Sequence, residues 1–229
     1  MITQVVMVPQ PPLLVPELAA GAAPETAQLR EACLSAVRAL GGRWLAVAAG
    51  PVEQTVSAAG AGTFRGYGVD VGVTLAAAAA STPAGELPLP ALIAGWLRGQ
   101  AGAESVEVRV VDATATPGHC ADLGRSLDSE DAGLLVLGDG SNRHGPRSPG
   151  NEDERAPGFD EAIAAALGKA DVEALKALDP GLCAELGVTG RVPWQVLAGL
   201  ADGASWRAEL LYTGAPHGVG YHVAVWERG

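Results

Sequence analysis

The run Gly138-Asp139-Gly140-Ser141-Asn142-Arg143-His144-Gly145-Pro146-Arg147 gathers a carboxylate, an amide, two guanidiniums and an imidazole directly after the apolar segment Leu134 to Leu137. An imidazole near a carboxylate suits proton transfer, because the carboxylate fixes the ring's tautomer and orientation. His144 is therefore the candidate acid or base, and Asp139 the candidate that orients it. Arg143 and Arg147 carry planar forks that match a carboxylate or phosphate, and such cations stand out in an acidic chain. The competing reading has Asp139 bonding nearby amides and the arginines pairing with Glu152, Asp153 and Glu154. The whole polar stretch, Gly138 to Gly158, is longer than a plain connection needs, and long loops are more often sites than decoration.

The other histidines of the four are His119, His217 and His222, and no pair has the H-E-x-x-H spacing that puts two imidazoles on one helix face. A metal centre must then be assembled from separate loops. His217 and His222 would face opposite ways along one strand, so they do not read as co-ligands. His119, near a helix start, and His222, inside a strand, read as structural residues. There is no G-x-S-x-G elbow and no phosphate-cradling G-x-x-x-x-G-K-[ST], and Gly60-Ala61-Gly62 lacks the third glycine of a dinucleotide loop.

Strand and helix patterns alternate around these residues. Val5 to Val8, Arg43 to Ala49, Gly66 to Leu75, Val106 to Val111 and Leu134 to Leu137 read as strands. Leu29, Cys33, Val37 and Leu40 form one helical face that Gly41-Gly42 ends, and Leu89 to Leu97, Ala121 to Leu127, Phe159 to Leu167, Val172 to Leu178 and Pro193 to Leu200 continue the helices. Trp206 to Tyr212 and Gly220 to Trp226 form a terminal hairpin around Gly214, Pro216 and Gly218. The pattern predicts one α/β domain over residues 1–229, with a mostly parallel or mixed sheet covered by helices on both faces. Ligands of such sheets bind beyond the carboxyl ends of the strands, which selects the loops after Val8, Ala49, Leu137 and Tyr212.

The chain has 229 residues, 26 Asp+Glu against 15 Lys+Arg, and a net charge of −11, which disfavours nucleic acid and anionic membrane as partners. Its 48% hydrophobic content supports a sizeable core, and no apolar run is long enough to span a membrane. The N-terminus lacks a basic leader, and Cys33, Cys120 and Cys183 form no C-x-x-C pair, so a cytoplasmic protein with reduced thiols is expected. The five tryptophans lie in apolar segments and read as packing residues. Leu210, Leu211, Val223 and Val225 of the hairpin are expected to serve a homo-oligomer interface if one exists.

Taken in order, Pro9-Gln10-Pro11-Pro12-Leu13-Leu14-Val15-Pro16-Glu17, Gly138-Asp139 with Ser141-Asn142, Gly158-Phe159-Asp160 and Gly218-Val219-Gly220-Tyr221 resemble the landmarks of the class III extradiol ring-cleavage dioxygenases. The likeness is to their subunit-B-like, Memo-related branch and spans most of the chain. The resemblance implies Fe(II) held by two histidines and a glutamate, a catecholic diol in the open positions, and a further histidine for acid–base work. Such a ligand set leaves room for substrate and O₂. Here the pattern departs from the family: Gln10 stands at the first histidine, Pro51-Val52-Glu53 at the second, and Asn142 at the histidine of the S-H pair, with His144 two residues later. Glu185 is the nearest counterpart of the metal glutamate. A neutral amide is a poor substitute for imidazole on ferrous iron.

Two functions compete on these residues. One is a dioxygenase-like protein with a degenerate iron site that binds a small anionic or aromatic molecule, or does diverged chemistry, with Gln10, Asn142, Arg143, Arg147 and His217 contacting the ligand. The other is an active metal-dependent oxygenase or hydrolase that uses a relocated site drawn from His144, Glu17, Glu53 and Glu185.

Overall fold

A computed structural model describes residues 1–19, 24–79 and 86–229. Its strands in chain order are β1 (Gln4–Val8), β2 (Arg43–Gly50), β3 (Gln54–Val56), β4 (Ala61–Thr63), β5 (Gly72–Thr74), β6 (Ser105–Asp112), β7 (Gly133–Leu137), β8 (Trp206–Gly214) and β9 (Tyr221–Arg228). The helices are α1 (Pro16–Ala19), α2 (Ala27–Val37), α3 (Leu89–Ala101), α4 (Pro117–Leu127), α5 (Ala156–Lys169), α6 (Val172–Lys176), α7 (Pro180–Glu185) and α8 (Arg191–Ala201).

Runs such as Val5 to Val8 and Leu134 to Leu137 have no polar face to offer water, so they form the middle of a sheet covered on both sides. The main sheet has the order β3-β6-β2-β7-β1-β9-β8. Strands β6, β2, β7 and β1 are parallel, while β3, β9 and β8 add antiparallel margins. One core packs Leu29, Cys33 and Val37 of α2 and Leu92, Ile93 and Leu97 of α3 against Val6, Ala46, Val108 and Leu135. The other packs Val196, Leu197 and Leu200 of α8, Cys120 and Leu127 of α4 and Ile163 and Leu167 of α5 against Val5, Val47 and Leu134. The expected α/β architecture with helices on both faces and a terminal hairpin is therefore the observed one.

Glycine sets two details of this packing. Gly41 ends the α2 segment at φ 71°, a left-handed conformation that other residues resist. Gly124 and Gly199 let α4 and α8 meet backbone to backbone: a Cβ at Gly124 would strike Val196 O and Leu200 N, and one at Gly199 would strike Ala121.

Two expectations change. Gly66 to Leu75 is not one strand of the main sheet. The Thr63 hydroxyl and the Arg65 guanidinium both bond Asp70, at 2.8 and 2.6 Å, folding the segment into a turn, after which β5 pairs only with β4 in a small ribbon. At the C-terminus β9 lies inside the sheet between β1 and β8, so Val223 is core, and of the two hairpin strands it is β8 that lies at the sheet edge. Among the described residues, no helix is long and apolar enough to cross a membrane.

Candidate functional site

The carboxyl ends of the parallel strands lead into loops that bond one another through their backbones. After β7, Gly138 N donates to Val8 O (3.1 Å), Gly140 N to Gly220 O (2.8 Å), Asn142 N to Leu186 O (3.2 Å) and His144 N to Gly218 O (3.1 Å). Gly220 N returns a bond to Ser141 O at 2.8 Å. The end of β1, the loop after β7, the turn between α7 and α8 and the hairpin turn are thereby locked into one unit.

At its centre lies the carboxylate of Asp160, in the first turns of α5. His144 Nε2 donates to Oδ2 at 2.5 Å and His222 Nε2 donates to Oδ1 at 3.1 Å. The Ser141 N–H reaches both oxygens, at 3.3 and 3.1 Å. The Thr213 hydroxyl occupies Nδ1 of His222 at 3.0 Å, which completes the second ring's bonding. Gly140 and Gly220 close over the carboxylate, since a Cβ on either would overlap the Asp160 oxygens. Trp194 tilts against the His222 ring with centroids 6.2 Å apart. The His222 side chain is 1% exposed, that of Asp160 7%, and that of His144 15%.

This arrangement differentiates the two imidazoles. His222 is enclosed and spends both nitrogens on Asp160 and Thr213, so it is a positioning residue. With its Nε2–H on Asp160, His144 has no partner for Nδ1 among the described residues, and that nitrogen is available to give or take a proton.

A second polar cluster adjoins the first through the backbone of Gly140 and Ser141. Asp139 accepts from Gln10 N at 2.8 Å, and its own N–H donates to Thr189 Oγ1 at 3.0 Å. Desolvation raises the Asp139 pKa to about 6, against the opposing bonds from Gln10 and Thr189. Burial, and then the charge of Asp139, push the Tyr221 phenol and the Cys33 thiol well above their usual ranges. The Gln10 side chain is buried with its Oε1 unpartnered among the described residues.

The sequence candidates therefore separate. His144 lies in the cluster, but the carboxylate that orients it is Asp160. Asp139 is instead tied to Gln10 and Thr189. Asn142 sits in a slot between Gly150 and Gly187, both of which lack the side chain that would displace it. Arg143 turns back onto Gly150 O of its own loop, whereas Arg147 is exposed with no ion-pair partner among the described residues. Asp153 pairs with Arg155, not with Arg143 or Arg147. His217 reaches Glu25 at 3.3 Å, Glu53 reaches His119 at 3.6 Å, and Glu185 reaches Arg155 at 2.8 Å. Glu17 lines a different cleft, beside Arg98. Among the described residues, no three His, Cys, Asp or Glu side chains form a group able to hold a metal ion.

Asp160 and His222 were not among the expected functional residues. The available signal was His222 itself: an imidazole inside an otherwise apolar strand needs a buried partner.

No curated protein matches this sequence. Over its whole length the chain resembles the crystal structure of an uncharacterized protein from Escherichia coli K12, with a TM-score of 0.54, 16% identity, and coverage of 98% of this chain and 99% of that one. At that identity the likeness speaks for the fold alone. A family model described as the catalytic LigB subunit of aromatic ring-opening dioxygenase matches residues 103–224, a segment that runs from β6 to β9 and includes His144, Asp160 and His222. That match spans more than half of the chain, and the protein belongs to the LigB family.

Proposed function

We propose that this LigB-family protein binds a small hydroxylated aromatic molecule beside His144, which acts as its acid–base group without ferrous iron. The observation that carries the reading is the His144–Asp160–His222 chain, buried at Asp160 and His222 and partly open at His144. Asp160 holds the His144 ring by Nε2 and leaves Nδ1 for a ligand hydroxyl, and His222 with the Ser141 N–H fixes Asp160 in turn. Arg147, exposed on the same loop, is the cation available to an anionic substituent, and the buried amide of Gln10 offers Oε1 as an acceptor. Asp139, raised to about 6 and bonded by Gln10 N, is a second acid beside that amide.

The donor set does not suit Fe(II). A 2-His-1-carboxylate face needs two imidazole nitrogens aimed at one point. Here Gln10 supplies an amide at the first expected position, and His144 and His222 both turn Nε2 to the same carboxylate. His217, Glu53 and Glu185 are engaged with Glu25, His119 and Arg155.

Calorimetric titration with catechol in excess EDTA tests this reading. Saturable binding is expected, weakened about tenfold or more in His144→Gln, whose amide can still donate to Asp160 while offering no basic nitrogen. Binding that appears only after stoichiometric Fe(II) is added anaerobically would overturn the reading in favour of a metal-dependent oxygenase. So would unchanged affinity in the His144→Gln protein.

A further inference from the structure

The last turn of α3 buries a guanidinium that forms no ion pair among the described residues. Arg98 is 8% exposed. Its Nε donates to Thr74 O at 3.0 Å, one terminal nitrogen to Ala103 O at 2.7 Å and the other to Thr74 Oγ1 at 3.2 Å. All three acceptors are neutral. A guanidinium carries five N–H groups, so among the described residues one hydrogen on each terminal nitrogen is left over. Among the described residues no Asp or Glu forms an ion pair with it, and residues 20–23 and 80–85 contain no acidic side chain. Burial correspondingly pulls the Arg98 pKa below its usual range.

Arg98 lines a cleft of about 340 Å³ together with Glu17, Val71, Val73, Thr74 and Trp96. Val73 and Trp96 are themselves largely buried, so one wall is apolar and the guanidinium is the single cation in it. A buried charge without an ion-pair partner is costly, and an anion entering the cleft would offset part of that cost. The protein as a whole is strongly acidic, and among the described residues only Arg191 is likewise a buried guanidinium held by neutral acceptors alone, whereas Arg98 also lines a cleft.

We propose that this cleft binds a small organic monocarboxylate, its carboxylate on the spare N–H groups of Arg98 and its apolar body along Val71, Val73 and Trp96. A phosphate or dicarboxylate fits less well, because there is one guanidinium to meet its charge and the carboxylate of Glu17 shares the cleft. The cleft has none of the residues around His144, so this site stands or falls independently of the function proposed above.

Benzoate, benzamide and inorganic phosphate are the probes, each titrated into the intact protein by calorimetry and thermal shift. Benzoate is expected to bind and raise Tm saturably, with benzamide and phosphate without effect. Arg98→Lys keeps a charge but loses the fork, and should weaken benzoate about tenfold or more. Glu17 is exposed and makes no hydrogen bond among the described residues, so Glu17→Gln will fold, and removing its repulsion should tighten benzoate about two- to fivefold. That second variant decides the matter if Arg98→Lys fails to fold. His144→Gln should leave benzoate binding unchanged. Equal shifts with benzamide, no gain in Glu17→Gln, or loss of benzoate binding in His144→Gln would each overturn the assignment.

Discussion

Gly220 and Gly140 leave the Asp160 carboxylate the room it occupies, and a double-mutant cycle can measure that. In Gly220→Ala the added methyl would overlap both Asp160 oxygens. Gly220 has no positive φ, so its backbone accepts alanine and the cost is steric. The carboxylate must retreat by about 1 Å, enough to lengthen or break the bonds at 2.5 Å to His144 and 3.1 Å to His222. Overpacking of this kind costs about 1–3 kcal/mol, and a hydrogen bond to a charged group is worth about 1.5–3 kcal/mol, so Gly220→Ala should lose about 2–3 kcal/mol. Asp160→Ala strands three buried donors, from His144, His222 and Ser141, and should cost about 3–5 kcal/mol.

In the Asp160→Ala background the methyl at 220 enters the space the carboxylate vacated. There the second substitution should cost less than about 0.5 kcal/mol, giving a coupling energy of about 2 kcal/mol. Urea unfolding at constant pH gives all four stabilities, with equal m-values required for the cycle to close. Strict additivity, with Gly220→Ala equally costly in both backgrounds, would falsify the claim that this glycine exists to seat Asp160.

Asp139 should make stability depend on pH in the direction opposite to an ion-paired carboxylate. Its folded pKa of about 6 exceeds the ordinary 3.8, so between those values the unfolded chain releases a proton that the folded chain keeps, and stability falls by about 3 kcal/mol as pH rises through the window. Relative to wild type, Asp139→Asn should therefore gain about that much between pH 3.5 and pH 7.5 in chemical unfolding, and an unchanged difference would show that the group is not desolvated. Gly199→Val would drive a branched side chain into the Ala121 backbone; a loss of about 3 kcal/mol or more in urea midpoint is expected, and full stability would mean that α4 and α8 do not touch as described. Gly187 combines φ 66° with contact against Asn142, so Gly187→Ala should cost about 2 kcal/mol, whereas a value near zero by the same assay would place Asn142 outside its slot.

The elements were legible where the pattern is local. Val5 to Val8 and Leu134 to Leu137 are apolar on every side and became central strands, and the i, i+4 run Leu29, Cys33, Val37 predicted α2. Gly66 to Leu75 misled because alternation alone cannot show that Thr63 and Arg65 will close on Asp70 and detach the segment from the main sheet. The short helix Pro180–Glu185 went unread for a different reason: its start is set by Asp179, whose carboxylate caps Leu182 N, while its buried contribution is little more than Cys183.

The site was legible by half, and the division follows sequence distance. The loop from Gly138 to Arg147 announces itself by composition, so His144 is a candidate from the sequence, and the structure places it against Asp160. Sequence alone pairs it with Asp139, the carboxylate nearest along the chain. Yet a carboxylate five residues before a histidine in an extended loop has no obligation to face it, whereas one entering from α5 can reach it across the fold. Asp160 looks ordinary beside Phe159 because nothing within its own helix reveals that Gly140, 20 positions away, and Gly220, 60 positions away, have both given up a side chain to admit it. His222 carried the one internal contradiction, a titratable ring in a strand whose neighbours Tyr221, Val223 and Ala224 are all core. A buried imidazole demands a partner on each nitrogen, and following that demand from Nδ1 to Thr213 and from Nε2 to Asp160 leads to His144 without any appeal to its neighbours in sequence.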